Sequence, residues 1–251
     1  MKHRYLVPIL GAASLLTLAA CNGNNSTAPF TGKVRLVNGI SDSGSITASA
    51  TSGFSNTPGT GFDTASSTVN VPEGGYNVQL SNNNNMFATA NNVAVDHNNL
   101  TTIYTRGSIN ASSGSGFSVE ENIGVPSSSN FRVQFVNDTT HGATANLSIY
   151  LVHVGAGIGG ATAIATTAAG AGSNATEIPA GTYEIVVTSG TTPIYDSGAT
   201  GGITLPSSGS NVVQIGALDA TTAQASTDGS LITLLITDNT GREDLHHNGG
   251  N

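Results

Sequence analysis

One ten-residue element occurs twice in this chain and limits what it can fold into. It reads Val71-Pro-Glu-Gly-Gly-Tyr76-Asn-Val-Gln-Leu80, and again Ile178-Pro-Ala-Gly-Thr-Tyr183-Glu-Ile-Val-Val187. In each copy the proline stops ladder pairing and the glycine permits a tight turn. The tyrosine then opens a strand, its ring directed inward and its hydroxyl near the rim. The two tyrosines lie 107 residues apart.

The same elements surround both copies in the same order. Val34-Arg-Leu-Val-Asn38 alternates as a strand and is echoed by Phe131-Arg-Val-Gln-Phe-Val-Asn137. A weak strand, Ser45 to Thr51, corresponds to a firmer one, Asn146 to Val154. A loop rich in small residues follows in each case, 53–67 and 155–173, and then comes the Pro-Gly-Tyr element. Asn82 to Asn85 suits a hairpin, because Asn tolerates the left-handed region. Strands at Leu100–Arg106 and Asn211–Gly216 match each other, and Leu231–Thr237 is the most hydrophobic strand after the leader. Turn signals about every ten residues suit a sandwich. The expected fold is all-β, with two tandem Ig-like antiparallel sandwiches at 32–123 and 131–238, joined by a linker at 124–130. Residues 239–251 read as a disordered tail.

Composition agrees. Gly accounts for 32 residues, only 9% of the chain is charged, 5% is aromatic and Trp is absent. Strong helix formers are scarce and β-branched residues common. The hydrophobic fraction of 37% allows a thin core. The net charge is −8, and removing Lys2 and Arg4 of the leader leaves five basic against fifteen acidic residues. That balance argues against nucleic acid and against anionic headgroups as targets of the folded part.

The N-terminus is an export leader over residues 1–20. Lys2, His3 and Arg4 precede an apolar stretch from Leu6 to Ala20 that is too short for an ordinary transmembrane helix. It ends Leu18-Ala19-Ala20-Cys21, which resembles a bacterial lipobox: small residues enter a peptidase cleft, and the thiol takes the diacylglyceryl group. Cys21 is the single cysteine, so no intrachain disulfide is available. Several acyl chains anchor stably where one does not. By resemblance to the enterobacterial sorting rule, Asn22 in place of Asp implies the outer membrane. Residues 21–31 read as a flexible tether.

The paired Val-Asn strands, the Val/Ile-Pro-x-Gly-x-Tyr elements and the strands ending near Gly107 and Gly216 resemble the bacterial domain of unknown function 4397. The resemblance spans most of residues 32–240. It implies Ig-like or transthyretin-like sandwiches on an envelope lipoprotein, and it transfers no catalytic residues. Ser45 to Thr51 departs from it, being small and polar where a firmer strand is usual.

The chemical motifs are weak. Gly155-Ala-Gly157-Ile-Gly-Gly160 matches the dinucleotide fingerprint and follows a strand, with Glu177 downstream, but no strand–helix–strand pattern surrounds it. A loop is expected, and no cofactor. Glu120-Glu121 and Glu243-Asp244 are neighbours whose side chains point apart on a strand, as are His246 and His247. His97, His141 and His153 could each be fitted into an imagined Ser-His-Asp triad, but no nucleophile elbow is present. Tyr76, Tyr104, Tyr150, Tyr183 and Tyr195 could stack on sugars and more simply pack in the core. The expectation is an outer-membrane lipoprotein anchored through Cys21, structural or adhesive, with another envelope protein or a glycan as partner and no catalysis. A polysaccharide- or peptide-binding module using loops 53–67 and 155–173 is the alternative, and an exported hydrolase the second.

Overall fold

The computed structural model describes residues 29–141, 144–198, 202–206, 209–221 and 231–247. The leader and Cys21 lie outside them. All regular elements are strands. The first half carries β1 (Thr31–Asn38), β2 (Ile46–Ser49), β3 (Thr64–Ala65), β4 (Val69–Pro72), β5 (Gly74–Asn82), β6 (Asn85–Val95), β7 (Asn99–Arg106) and β8 (Ser115–Asn122). The second carries β9 (Asn130–Asp138), β10 (Asn146–His153), β11 (Ala165–Ala168), β12 (Ala171–Gly172), β13 (Thr176–Pro179), β14 (Gly181–Ser189), β15 (Thr192–Asp196), β16 (Ile203–Leu205), β17 (Val212–Asp219), β18 (Ile232–Asp238) and β19 (Glu243–His246).

These strands form two β-sandwiches. In the first, the sheet β3-β1-β7-β8, with β4 also on β1, packs against β2-β5-β6. Val34, Leu36, Val71 and Ile103 meet Ile46, Val78, Leu80 and Val93 in its core. In the second, β12-β9-β17-β18-β19, with β13 also on β9, packs against β11-β10-β14-β15 with β16. Phe131, Phe135, Ile215 and Leu234 meet Leu147, Ile149, Ile185 and Val187 there. One neighbouring pair in each sandwich is parallel, β1 with β7 and β9 with β17, whereas the other strand pairs are antiparallel.

The internal repeat extends to individual hydrogen bonds. Tyr76 donates its hydroxyl to the Pro72 carbonyl at 2.7 Å, and Tyr183 to the Pro179 carbonyl at 2.6 Å. Each proline is the last residue of a short edge strand, where a missing N–H costs little. Asn38, at the end of β1, donates its amide to the Thr60 and Gly44 carbonyls and accepts from the Ile40 N–H. Asn137, at the end of β9, donates to the Thr167 and Thr144 carbonyls and accepts from the Thr139 N–H. Ser66 and Ser173 take the same place too, each accepting from the N–H of a core residue, Leu36 or Phe135. The Asn83-Asn84 turn has both residues at positive φ, the type I′ geometry that an Asn run favours.

The tail departs from expectation. Glu243–His246 is not disordered but pairs antiparallel with Leu234–Thr237 of β18. The turn is built by the Asp238 carboxylate, which accepts from the Thr240 and Arg242 N–H groups, with Gly241 at φ +97. β18 is buried along its whole length, so an unpaired edge there would leave backbone groups unsatisfied.

Asn137 is fully buried, and its amide donates to the Thr144 carbonyl and to the Thr167 carbonyl of β11. Replacing Asn137 by Ala should lower the unfolding free energy by about 2–3 kcal/mol. Tyr183→Phe, which removes one rim hydrogen bond, should cost about 1 kcal/mol or less. Urea denaturation of the two variants checks the order.

Candidate functional site

The two sandwiches pack against each other through the faces of their parallel-paired sheets. On β1, Val34 and Leu36 point into the first core, while Arg35 and Val37 point at the second sandwich. On β17, Val213 and Ile215 point inward, while Gln214, Gly216 and Leu218 point back. Val37, Tyr104 and Val119 meet Val136, Leu218 and Leu235 in an apolar seam. Tyr104 stacks on Phe117, with centroids 5.6 Å apart, and its ring lies over Gly216. A Cβ on Gly216 would sit 3.3 Å from that ring, so the close approach depends on glycine.

Beside the apolar seam lies a buried polar chain. Arg35 is 2% exposed. It donates to Thr102 Oγ1 at 3.0 Å, to the Asp238 carbonyl at 2.8 Å and to Gln214 Oε1 at 2.7 Å. Thr102 donates to the same Gln214 oxygen at 2.6 Å, and Gln214 donates onward to Gln134 Oε1 at 2.6 Å. Gln134 donates across to the Glu120 carbonyl at 3.2 Å. The acceptors that hold Arg35 are neutral. Burial lowers its pKa, against the raising influence of Tyr104, Asp238 and Glu243. The covering of Arg35 is why alternation in β1 does not mark a solvent face.

Strand direction orients the body. Arg132, near the start of β9, donates to the Asn122 and Gly124 carbonyls at the end of β8. The Asp138 carboxyl, at the end of β9, lies against Gly39, just past the end of β1. Hence β1, β7, β9 and β17 all run the same way. The end where they start carries Thr31, where the chain enters the sandwich, the linker and both Pro-Gly-Tyr corners. Eight residues of β1 separate it from the other end, about 25 Å at 3.3 Å per residue.

At that far end is a cleft of about 410 Å³ between the sandwiches. Arg106, Gly107, Ser113, Ser115 and Phe117 line it from the first, and Thr140 and Gly170 from the second. Three buried carboxyls near the seam have raised pKa values. Burial raises Asp138 well above the usual carboxylate range, with Arg106 acting to lower it and Asp219 and Asp63 to raise it. Neither Asp138 oxygen has a hydrogen-bond partner. Burial also raises Asp63 to about 7, and Glu121 to about 7.

The residues singled out in the sequence are mostly placed elsewhere. Loop 53–67 is packed down: Phe54 meets the Tyr76 ring edge-on at 5.3 Å, and Thr57 and Thr60 bond to β2. Loop 155–173 contains β11 and β12, and of the two loops only Gly170 lines the cleft. Gly155, Gly157 and Gly160 adopt positive φ in turns that lead to β11, a strand and not a helix. Glu177 accepts from the Ser127 N–H and hydroxyl and lies 3.6 Å from Arg132, tying the linker down. Tyr104 and Tyr195 are buried, and Tyr150 is half-buried. His97 packs on Phe30, with centroids 4.9 Å apart. His141 pairs with Asp219 at 3.0 Å, but the neighbouring Thr140 hydroxyl bonds to that carboxylate and not to the imidazole. His246 is half-buried, its pKa lowered chiefly by desolvation. Among the described residues no group of three His, Cys, Asp or Glu could hold a metal, and no helix is long and apolar enough to cross a membrane.

Compared with known proteins, the chain matches no family model and no curated sequence.

Two outcomes follow from the seam. Gln214→Leu strips one of three acceptors from a buried guanidinium and should cost about 3 kcal/mol or more, whereas Arg35→Met removes the charge itself and should cost about 1 kcal/mol. Denaturant titration of both variants checks the ranking. An acid with a raised folded pKa holds its proton more tightly when folded. Its contribution is therefore complete below the unfolded pKa near 4 and is lost as pH rises to the folded value. For Asp63 and Glu121 that window runs to about 7. The urea midpoint should fall across it, and Asp63→Asn should reduce the slope. A midpoint that rises with pH in this window contradicts the assignment.

Proposed function

We propose that this chain is a lipid-anchored protein of the bacterial cell envelope, held at the outer membrane through Cys21 and serving a structural, adhesive or protein-interaction role without catalysis. The sequence around Cys21 supports the anchor, and the resemblance to the domain of unknown function 4397 fits the same setting. Nine residues separate Cys21 from Thr31, a reach of about 33 Å when extended.

The observation that carries the reading is the polarity of the body. The end that receives the tether is packed with linker and corner contacts, and the far end bears the cleft. An anchored protein so arranged presents its concave surface away from the membrane. The buried seam holds the two sandwiches as one unit, which suits a load-bearing or spacing role. A second reading, a module binding polysaccharide or peptide, is favoured by the cleft itself, which has the size of small-ligand sites. On that reading the contact surface is the cleft and not the pair of loops.

Cys21→Ala should move the protein from the membrane fraction to the soluble fraction of its own cells. Unchanged membrane partitioning would contradict the anchor.

A further inference from the structure

We propose that the cleft at the far end binds the carboxylate of an acidic sugar, a hexuronate unit of a polysaccharide, with Arg106 as the recognition residue. This inference rests on the reading of the cleft as the contact surface.

Arg106 is the last residue of β7 and forms one wall. Among the described residues it makes no hydrogen bond and no ion pair, although it is partly buried, whereas Arg35, Thr102, Gln214 and Gln134 in the seam are hydrogen-bonded to one another. Its guanidinium lies across Gly170, and a side chain there would collide with it. The planar fork is thus held at the wall with its donors uncommitted. A carboxylate is the group that a guanidinium takes with two parallel hydrogen bonds.

No carboxylate forms a salt bridge with Arg106 among the described residues. The acid that acts on it is Asp138, which is 0% exposed and has no partner on either oxygen. Burial favours the neutral form of that carboxyl, and the two carboxylates beside the lining are already engaged: Asp42 accepts from Ser108 and from the Ile109 and Asn110 N–H groups, and Asp219 accepts from Thr140 and pairs with His141. The whole chain is acidic, but at physiological salt fields decay over about 8 Å, and the local cation decides.

The rest of the wall selects a sugar. The Ser113 and Ser115 hydroxyls can exchange hydrogen bonds with ring hydroxyls. The glycine backbone of Gly107 permits close approach, and Phe117 offers an apolar surface, its ring backed by Tyr104. Capture of a peptide carboxyl terminus by backbone amides would be the competing mode.

The test uses the full chain in detergent, titrated with trigalacturonate, with maltotriose as the neutral control and a short peptide with a free carboxyl terminus as the competing arm. Trigalacturonate should bind saturably and maltotriose should not. Arg106→Gln should weaken binding at least tenfold, and Arg106→Lys should restore only part of it. In the wild-type protein the amide resonances of Gly107, Gly116 and Gly170 should shift on titration, a readout that needs no variant to fold. Absence of saturable trigalacturonate binding, preferential binding of the peptide, or shifts confined to other residues would overturn the hexuronate assignment. The contact-surface reading is judged separately, by binding to envelope fragments from the protein's own cells. If Arg106→Gln abolishes that binding while trigalacturonate fails, the cleft stands and the ligand class falls. If the variant leaves it unchanged, both fall.

Discussion

A single buried cation organises the contact between the two halves of this protein. Arg35 sits between two β-sheets with its guanidinium held by a threonine hydroxyl, a main-chain carbonyl and a glutamine side chain. Removing such a charge from water is costly, and neutral acceptors repay that cost only if all of them stay in place. Gln214 must therefore point from β17 at β1, Gln134 must support Gln214, and the two sheets must keep one register. The apolar seam of Tyr104, Val136, Leu218 and Leu235 supplies the favourable burial beside it. The hydrogen-bonded chain adds direction, because a slip of one residue would turn Gln214 into the core.

The internal repeat shows how a thin core can be made specific. Each sandwich has near the end of its first strand a buried asparagine that bonds two backbone carbonyls, fixes a core N–H with a serine, and carries near the start of its long hairpin strand a tyrosine bonded to a proline carbonyl. These are short local devices, repeated at matching places, and they need few large side chains. Divergence between the copies then falls on the seam. Position for position, Arg35 opposes Thr102 across the parallel pair of the first sandwich, and Gln134 opposes Gln214 in the second. The two faces are complementary, not identical.

Much of the fold was legible in the sequence. The Pro-Gly-Tyr elements, the Asn83-Asn84 turn and the alternation in the first strands give the all-β class, because each is a local signal with a local cause. The seam was not legible. Arg35 reads as the outward residue of an alternating strand, and nothing beside it in sequence announces a second sheet. One signal did point there: Leu231 to Thr237 is apolar apart from Thr233 and Thr237 and does not alternate, the mark of a strand buried on both faces. The tail strand was missed because Glu243–His246 is polar and its pairing depends on a neighbour, not on its own pattern. The cleft was illegible for a different reason. Arg106, Thr140 and Gly170 converge from three separate parts of the chain, and no spacing in one sequence shows that convergence.

Differential scanning calorimetry of the full chain tests most directly whether Arg35 and its partners make one body of two sandwiches. Coupling through the seam predicts a single transition whose calorimetric and van't Hoff enthalpies agree. Two separable transitions, each with the enthalpy of one sandwich, would contradict it.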